Sequence, residues 1–368
     1  MTHDRFRAVL PAMLRDLGEL VSVESPSHDT AALARSAAVV AAQGSRLLRA
    51  EPELLVVEGR THLRWKFGSG PSRVLLVGHH DTVHPLGTLE RSPWTVSGGI
   101  ARGPGCFDMK AGLTLIFHAL AALDDLDGVA VLVSADEELG SPTAKGLIEE
   151  TARGCSAAFV TEPSADGALK TTRKGISQYE VAIQGRAAHA GLEPERGVNA
   201  TVELAHQVLA IAALNAPAVG TSVTPTVVAA GDTVNTVPGA ATIAVDVRAL
   251  TVAEQQRVDK ALHSLTCLLP GADMQIRRPV HAPPLEAASS EGLFGLAERV
   301  AADLGLPRPR GATVGGGSDG NLIAALGVPT LDGLGAVGGG AHTAAEHVVV
   351  DDLPRSAALL AGLVTATV

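Results

Sequence analysis

The chain has 368 residues, of which 46% are hydrophobic and 2% aromatic, and its formal net charge is −10. This length favours two domains over one, and the acidic balance, without a basic stripe, argues against nucleic-acid binding. No stretch stays apolar for the roughly 18 residues that a membrane-spanning helix needs, so we expect a chain that does not enter a membrane.

Two features predict a cytoplasmic protein. Residues 1–20 repeat apolar side chains at helical spacing and carry charges of both signs, which is typical of an amphipathic helix rather than a signal peptide. The three cysteines are scattered and form no CxxC pair: Cys106, Cys155 and Cys267. We expect them to be buried free thiols in a reducing compartment.

The next elements along the chain predict an α/β domain. Apolar runs at 72–78, 128–135 and 157–162 indicate buried strands, and residues 108–126 have helical periodicity. Strands that alternate with helices favour a mostly parallel sheet. In such sheets, functional sites form beyond the carboxyl ends of the strands.

A different pattern begins after Lys174 and predicts an inserted domain. From there to residue 284 the predicted order is strand, helix, strand, strand, helix, strand, which is the ferredoxin-like βαββαβ arrangement. We therefore predict that residues 174–284 form an inserted domain. Residues 1–173 and 285–368 would together form the first domain.

The first candidate site follows the strand at 72–78, where three histidines and one aspartate lie close together. In extended backbone, residues two apart share a face, so His79 and Asp81 point the same way and His80 points the opposite way. A carboxylate beside an imidazole commonly orients a metal-binding histidine. A surface histidine with a neighbouring charge explains this motif equally well.

Further acidic residues and one histidine fall in similar positions. Asp108 lies between a Gly/Pro turn and a helix, where it could instead cap that helix. Glu137 and Glu138 follow an apolar strand; one could bind a metal while the other accepts a proton, although a solvated acidic loop is an alternative. Glu162 also ends a strand, and His342 lies in a Gly-rich loop.

The joint occurrence of these motifs at predicted strand ends indicates one shared site. Two histidines and three carboxylates suit a site for two zinc ions in which one carboxylate bridges. Co²⁺ or Mn²⁺ could be bound by the same ligand types. The candidate ligands are His79, His342, Asp108, Glu138 and Glu162.

Motifs along most of the chain resemble those of a known family. GHHDTV, GPGCFDMKAG, DEELGS, TEPS, GRAAHAG, NTVPG, DVRA, GGGSDGN and GGGAHTAAEH occur in the order seen in the M20 metallopeptidases, and the likeness is to glutamate carboxypeptidases of the carboxypeptidase G2 type. The resemblance implies a two-zinc catalytic domain and an inserted domain for dimerisation and closure. It implies that Asp108 bridges the zinc ions and precedes a cis peptide bond, that Glu137 is the general base, and that Asp81 orients His79.

The resemblance also implies substrate contacts. His189, in GRAAHAG, would stabilise the oxyanion in the active site of the other subunit of a homodimer. Asn235 and Arg248 match substrate-contacting positions on the inserted domain, although Arg248 could be only a structural ion-pair partner. The remaining candidates precede the inserted domain or lie in GGGSDGN: Lys170, Arg173, Gly317 and Ser318.

Together these features predict a di-zinc hydrolase that releases a C-terminal amino acid, with glutamate as one candidate, from N-acyl amino acids or peptides. The arginine that glutamate-releasing relatives have just before GGGSDGN is not in place, since Arg308 and Arg310 lie further upstream. An aminoacylase-like deacylase or deacetylase of a biosynthetic intermediate is therefore the second candidate. A non-catalytic homodimer that binds acyl-amino acids is the third, and the presence of Glu137 with a full ligand set argues against it.

Overall fold

The computed structural model describes residues 3–368, which divide into two compact units. Unit 1 comprises the described residues up to Thr172 together with Leu285–Val314 and Ser318–Val368, and unit 2 comprises Arg173–Pro284 and Gly315–Gly317. The helices are α1 (His3–Val21), α2 (Thr30–Leu48), α3 (Thr88–Arg91), α4 (Ala111–Leu120), α5 (Lys145–Ala152), α6 (Ala200–Ala212), α7 (Val252–His263), α8 (Ala287–Asp303), α9 (Asp319–Ala325) and α10 (Leu353–Thr367).

The strands are β1 (Glu53–Val57), β2 (Arg60–Lys66), β3 (Val74–His79), β4 (Thr95–Ser97), β5 (Ile100–Arg102), β6 (Val129–Ser134), β7 (Ala157–Val160), β8 (Leu169–Arg173), β9 (Gly175–Gln184), β10 (Ala188–His189), β11 (Ser222–Ala230), β12 (Thr236–Val237), β13 (Ala240–Ala249), β14 (Asp273–Ala282), β15 (Gly311–Val314), β16 (Thr330–Leu331), β17 (Gly338–Gly339) and β18 (His347–Val349).

The main sheet of unit 1 has the strand order β1-β2-β6-β3-β7-β16. Strands β6, β3, β7 and β16 are parallel neighbours, whereas β1 and β2 form an antiparallel edge. Every residue of β3 and β6 is buried, as expected for parallel strands that are covered on both faces. The mostly parallel sheet predicted from the sequence is confirmed.

Helices cover both faces of this sheet. On one face, Leu76 and Val131 pack in a large apolar cluster with residues of α1, α4 and α10. On the other face, Leu75 and Leu132 pack with residues of α5 and α9. Because successive side chains of a strand point to opposite faces, the central strands contribute to both layers and need a continuous apolar sequence.

The register of the sheet brings three strand ends to the same level. His79 of β3 pairs with Ser134 of β6, and the N–H of Thr161, just after β7, donates to the oxygen of Val77 at 3.0 Å. A Cβ at Gly112 would collide with the carbonyl of Thr161, so this glycine lets α4 approach the same edge closely. The turns that follow β3, β6 and β7 therefore begin side by side.

Unit 2 contains a four-stranded antiparallel sheet with the order β11-β13-β9-β14. Tyr179, Val181 and Ile183 of β9 point inward and form a separate core with residues of α6 and α7. The short strands β10 and β12 pair with each other beside it. The order β9, α6, β11, β13, α7, β14 is the ferredoxin-like arrangement, and the predicted fold class is confirmed.

The helix predicted over residues 108–126 is shorter than expected, since it is limited to α4. A wide turn, Cys106–Lys110, precedes it, and Asp108 has non-helical backbone angles within that turn. The N-cap position of α4 is Lys110. The alternative in which Asp108 caps the helix is therefore wrong, because the side chain lies outside the helix altogether.

Three smaller expectations can be compared with the structure. The Asp108–Met109 peptide bond is cis, as the resemblance implies. All three cysteines are free, but Cys267 is only partly buried, so the prediction of a buried thiol is wrong there. Within residues 3–368, no helix has both the length and the apolar character needed to cross a bilayer.

Candidate metal centre

His79 is the last residue of β3, and the Nδ1 side of its ring contacts Asp81. Its Nδ1 lies 3.0 Å from the backbone oxygen of Asp81 and 3.3 Å from Asp81 Oδ1. A carbonyl oxygen and an ionised carboxylate only accept hydrogen bonds, so Nδ1 carries the proton of the neutral ring. In the neutral ring Nε2 is then the nitrogen with a free lone pair, which is the tautomer of a histidine that binds a metal. Although burial lowers it, contact with Asp108, Asp81 and Glu162 raises the pKa of His79 well above its usual range, so a cation at Nε2 would replace a proton there.

The Nε2 atom of His79 faces a cluster of carboxylates. It lies 3.3 Å from Glu162 Oε1 and 3.5 Å from Asp108 Oδ1. His79 Nε2 and Glu138 Oε1 are both buried and have no hydrogen-bond partner among the described residues. Buried polar atoms without partners are costly. A cation bound among these atoms would satisfy both, so the residues fit a metal ion.

A second histidine approaches the same aspartate from the C-terminal loop. His342 Nε2 lies 3.3 Å from Asp108 Oδ2 and 3.2 Å from Glu138 Oε1. His342 has a φ of 64°, in the left-handed region that few residues other than glycine adopt. The two oxygens of Asp108 thus face different histidines. Asp108 lies between one set of potential ligands with His79 and Glu162 and another with His342 and Glu138.

Glu137 lies next to the first of these sets. Its Oε2 is 3.9 Å from His79 Nε2, and ligand atoms of His79, Glu137 and Glu162 lie within 4.8 Å of one another. A carboxylate at this place can accept a proton from a water molecule in the centre. The same distances would also allow Glu137 to bind a metal ion.

The electrostatics of the cluster favour the binding of positive charge. Burial, followed by the charge of Glu162, raises the pKa of Glu137 well above its usual range. Burial raises the pKa of Glu138 to about 7, and contact with Asp108 raises the pKa of His342 to about 9. These groups retain or share protons unless a cation compensates the carboxylate charge.

Asp81 has other hydrogen-bond partners besides His79. Its carboxylate is fully buried; Oδ1 accepts the N–H of Glu137 at 3.2 Å and Oδ2 accepts the N–H of Glu138 at 3.3 Å. The hydroxyl of Ser27 donates to Oδ2 at 2.7 Å. One carboxylate therefore positions the histidine and the turn that carries both glutamates. No motif marks Ser27, which lies 54 residues earlier in the chain.

A second buried carboxylate supports the same turn. Asp319 accepts a hydrogen bond from Ser134 Oγ at 2.8 Å and another from Ser141 Oγ. These two serines flank the turn at residues 137–139, and burial raises the pKa of Asp319 to about 6. Its place in GGGSDGN was the only sequence signal that could have identified it.

Two predicted substrate-binding residues of unit 1 differ in their surroundings. Lys170 Nζ lies 3.8 Å from Glu162 Oε2, so this cation is beside the centre. Ser318 is the N-cap of α9, and its Oγ donates to Asp332 Oδ2 at 2.6 Å. Ser318 therefore caps the start of α9, whereas Lys170 lies near potential metal ligands.

The predicted arginines lie in unit 2. Arg173 is buried, and its guanidinium donates to the carbonyl oxygens of Gly316 and Gly317 at 3.2 and 2.9 Å, which fixes the Gly-rich loop. Arg248 forms an ion pair with Asp246 at 2.9 Å, the structural role considered from the sequence. Substrate contact by either arginine remains a prediction.

His189 and Asn235 are exposed neighbours in unit 2. The Nδ1 of His189 accepts the N–H groups of Gly191 and Leu192, each at 3.1 Å. The neutral ring therefore carries its proton on Nε2, which is a potential donor. The carbonyl oxygen of Asn235 accepts the N–H of Ala190 at 2.9 Å, so Asn235 lies just before β12, the strand that pairs with β10 and His189.

Comparison with known proteins decides the family. The model for peptidase family M20/M25/M40 matches residues 75–366. The chain belongs to this family. Carboxypeptidase G2 of Pseudomonas sp. (strain RS-16) is 32% identical to the M20 chain over 377 residues, with 96% of this chain and 89% of that protein covered. Acetylornithine deacetylase of Myxococcus xanthus is 27% identical over 391 residues, with 96% of each covered.

A solved structure supports the M20 fold. Aminopeptidase PepT from Bacillus cereus ATCC 10987 aligns with a TM-score of 0.74 at 22% identity, covering 96% of this chain and 98% of that one. The resemblance drawn from the motifs and the prediction of an enzyme are confirmed: the M20 chain is a hydrolase that acts on amide bonds. The cluster around Asp108 is its candidate metal centre.

Proposed function

We propose that the protein is a dinuclear metallohydrolase that cleaves N-acyl amino acids or peptides and releases the C-terminal amino acid. The observation that carries the proposal is Asp108, whose two oxygens lie 3.5 Å from His79 and 3.3 Å from His342. This is the arrangement that a carboxylate bridging two metal ions needs. Glu162 would complete the ligand set of His79, and Glu138 that of His342.

Zinc suits a donor set of imidazole nitrogens and carboxylate oxygens, with Co²⁺ or Mn²⁺ as alternatives. When bound, two such ions lower the pKa of a water molecule and polarise the scissile carbonyl. Glu137 accepts the proton of the attacking water and returns it to the leaving amine. Asp81 keeps the proton of His79 on Nδ1, so that His79 remains a neutral ligand through Nε2.

The inserted domain would supply the remaining donor. We assign oxyanion stabilisation to the Nε2–H of His189, because the two backbone N–H groups on Nδ1 leave Nε2 as the protonated nitrogen. In this proposal residues 174–284 mediate a homodimer, His189 acts on the active site of the other subunit, and closure of the inserted domain excludes water. Asn235 and Arg248 are the proposed substrate contacts on the same domain.

The identity of the released amino acid distinguishes two candidate functions, a carboxypeptidase and a deacylase. The match to carboxypeptidase G2 and the position of Lys170 support an acidic C-terminal residue such as glutamate. The upstream arginines are engaged in other contacts, because Arg308 pairs with Glu298 at 2.8 Å and Arg310 donates to the carbonyl of Asp166 at 2.6 Å. This observation, with the match to acetylornithine deacetylase, favours a deacylase as the second candidate.

An amino-acid release assay on zinc-loaded protein distinguishes these functions. The substrates are the acetyl and benzoyl derivatives of Glu, Asp, Leu, Arg and Ala. A strong preference for Glu or Asp with either acyl group supports the carboxypeptidase. A preference set by the acyl group, with basic or apolar amino acids accepted, supports the deacylase. No release from any substrate by protein that contains two zinc ions per chain would contradict both.

A further inference from the structure

Glu346 is a buried carboxylate that none of the proposed catalytic steps uses. It is 2% exposed and lies in the C-terminal loop just before β18. Its Oε1 accepts the N–H groups of Phe107 and Asp108 at 2.8 and 2.9 Å. Its Oε2 accepts the N–H of Gly105 at 2.8 Å and contacts His84 Nε2 at 2.7 Å. The two oxygens of one side chain therefore have four partners.

Two of these partners belong to the turn that presents Asp108, and a third, Gly105, directly precedes it. The turn has non-helical backbone angles at Asp108 and Met109, so its N–H groups cannot all be satisfied by a regular helical ladder. Hydrogen bonds from backbone N–H groups to a carboxylate are shorter and stronger than neutral ones. The carboxylate of Glu346, 238 residues away in sequence, thus accepts the hydrogen bond of the backbone N–H of Asp108 itself.

The other end of the restraint is the loop that carries His342. Glu346 follows His342 by four residues, and this short loop is closed by Thr343 N–H to Gly340 O at 3.0 Å and by Glu346 N–H to Thr343 O at 3.3 Å. His342 has left-handed backbone angles within it. Glu346 consequently ties the segment that presents His342 to the turn that presents Asp108.

We propose that Glu346 is a positioning residue for the metal centre, which sets the separation of Asp108 and His342, and that His84 completes its hydrogen bonding. The proposal rests on the proposed function, because it assumes that Asp108 and His342 bind the same ion. His342 is half exposed at its side chain, whereas Glu346 is buried. The exposed ligand candidate therefore lies on a loop that the buried carboxylate of Glu346 anchors.

The isosteric variant Glu346→Gln tests this proposal. A glutamine has one acceptor oxygen and one amide NH₂ group, so it can serve only one of the two pairs of donors. If the amide oxygen accepts the N–H groups of Phe107 and Asp108, the NH₂ group faces the N–H of Gly105, and that hydrogen bond is lost. In the reverse orientation the NH₂ group faces the N–H of Asp108, whose hydrogen bond is then lost. Either orientation loosens the turn without changing any proposed ligand.

Metal binding by the apoprotein is the primary readout. Titration with Co²⁺, followed by visible absorption, and competition for Zn²⁺ with a chromophoric chelator report affinity without turnover. We expect wild type to bind two ions, and Glu346→Gln to bind the ion held by Asp108 and His342 about 10- to 100-fold more weakly, as found when outer partners of ligands are lost. The kcat should fall with KM changed less than threefold.

Glu203→Gln is a matched control for the loss of a buried carboxylate. Glu203 is fully buried and accepts the N–H groups of Leu268 and Leu269 and the amide of Gln207, but it lies in the core of unit 2. We expect this variant to lose thermal stability while both metal affinities stay within twofold of wild type.

His84→Gln, which retains a donor, should restore most of the metal affinity that His84→Ala loses.

The outcomes separate this proposal from the proposed function. If wild type itself binds only one ion, the two-metal function fails, whatever Glu346 does. If wild type binds two ions and folded Glu346→Gln binds both with unchanged affinity and turnover within twofold, the positioning role is refuted. If Glu346→Gln does not fold, His84→Ala decides: unchanged cobalt affinity in that variant would also refute the role.

Discussion

Replacement of Asp81 by asparagine tests how the centre is organised. The carboxylate is fully buried and accepts hydrogen bonds from Ser27 Oγ and from the N–H groups of Glu137 and Glu138, while Oδ1 lies 3.3 Å from His79 Nδ1. Asparagine offers one acceptor oxygen where aspartate offers two. In either orientation its NH₂ group faces one of the two backbone N–H groups, and that hydrogen bond is lost.

The magnitude follows from this loss. A hydrogen bond to a charged group contributes about 1.5–3 kcal/mol, and outer partners of metal-binding histidines typically change metal affinity or activity by about 10- to 100-fold. We therefore expect Asp81→Asn to bind Zn²⁺ about 10- to 100-fold more weakly than wild type and to have a lower kcat. The affinity is measured by chelator competition, and kcat by amino-acid release at saturating zinc.

Ser27→Ala is the control for this prediction. It removes the hydroxyl that donates to Asp81 Oδ2 but leaves the acceptors of both turn N–H groups and of His79 in place. We expect a smaller loss of zinc affinity than in Asp81→Asn, because Ser27 contacts Asp81 and none of the proposed ligands. The reasoning would be refuted if Asp81→Asn retained wild-type zinc affinity and turnover, or if Ser27→Ala lost as much affinity as Asp81→Asn.

Three further predictions concern other parts of the molecule. His342→Ala should contain one tightly bound zinc ion per chain instead of two, by elemental analysis; two would contradict the assignment of His342. His189→Ala should keep its metal but lose about 10²–10³-fold in kcat, and an unchanged kcat would remove His189 from the mechanism. Hydrogen bonds lower the pKa of Glu203 despite its burial, so this carboxylate stabilises the fold above its unfolded pKa and the contribution is lost as pH falls through the folded value. Glu203→Gln should therefore be less stable than wild type at pH 7 in urea unfolding, with a gap that narrows below about pH 4; a gap independent of pH would contradict this.

The fold was predictable where burial leaves a periodic trace in the sequence. The central strands β3 and β6 are buried on both faces, so their apolar runs are continuous, whereas β9 is buried on one face and alternates. The wide turn before α4 was not predictable from local pattern. Apolar periodicity continues across it, and the carboxylate that accepts its N–H groups, Glu346, lies 238 residues from Asp108.

The candidate site was also predictable only in part. His79, Glu138 and Glu162 were predicted to come together because each follows a strand, and parallel strands end at one edge of the sheet. Asp81 was predicted as the residue that orients His79, but Ser27 and Asp319 were missed, since they meet the site only through contacts distant in sequence. Residue type alone therefore indicates potential ligands, but the hydrogen bonds that orient them depend on the folded chain.

The measurement that tests the central claim most directly compares wild type with Glu137→Gln for both zinc content and amino-acid release. Glu137 is assigned to proton transfer and not to metal binding, although its Oε2 lies 3.9 Å from His79 Nε2. We predict two zinc ions per chain in both proteins and a loss of about 10²–10⁴-fold in kcat in the variant, the usual contribution of a general base. Wild-type turnover in Glu137→Gln, or the loss of a zinc ion from it, would contradict the account.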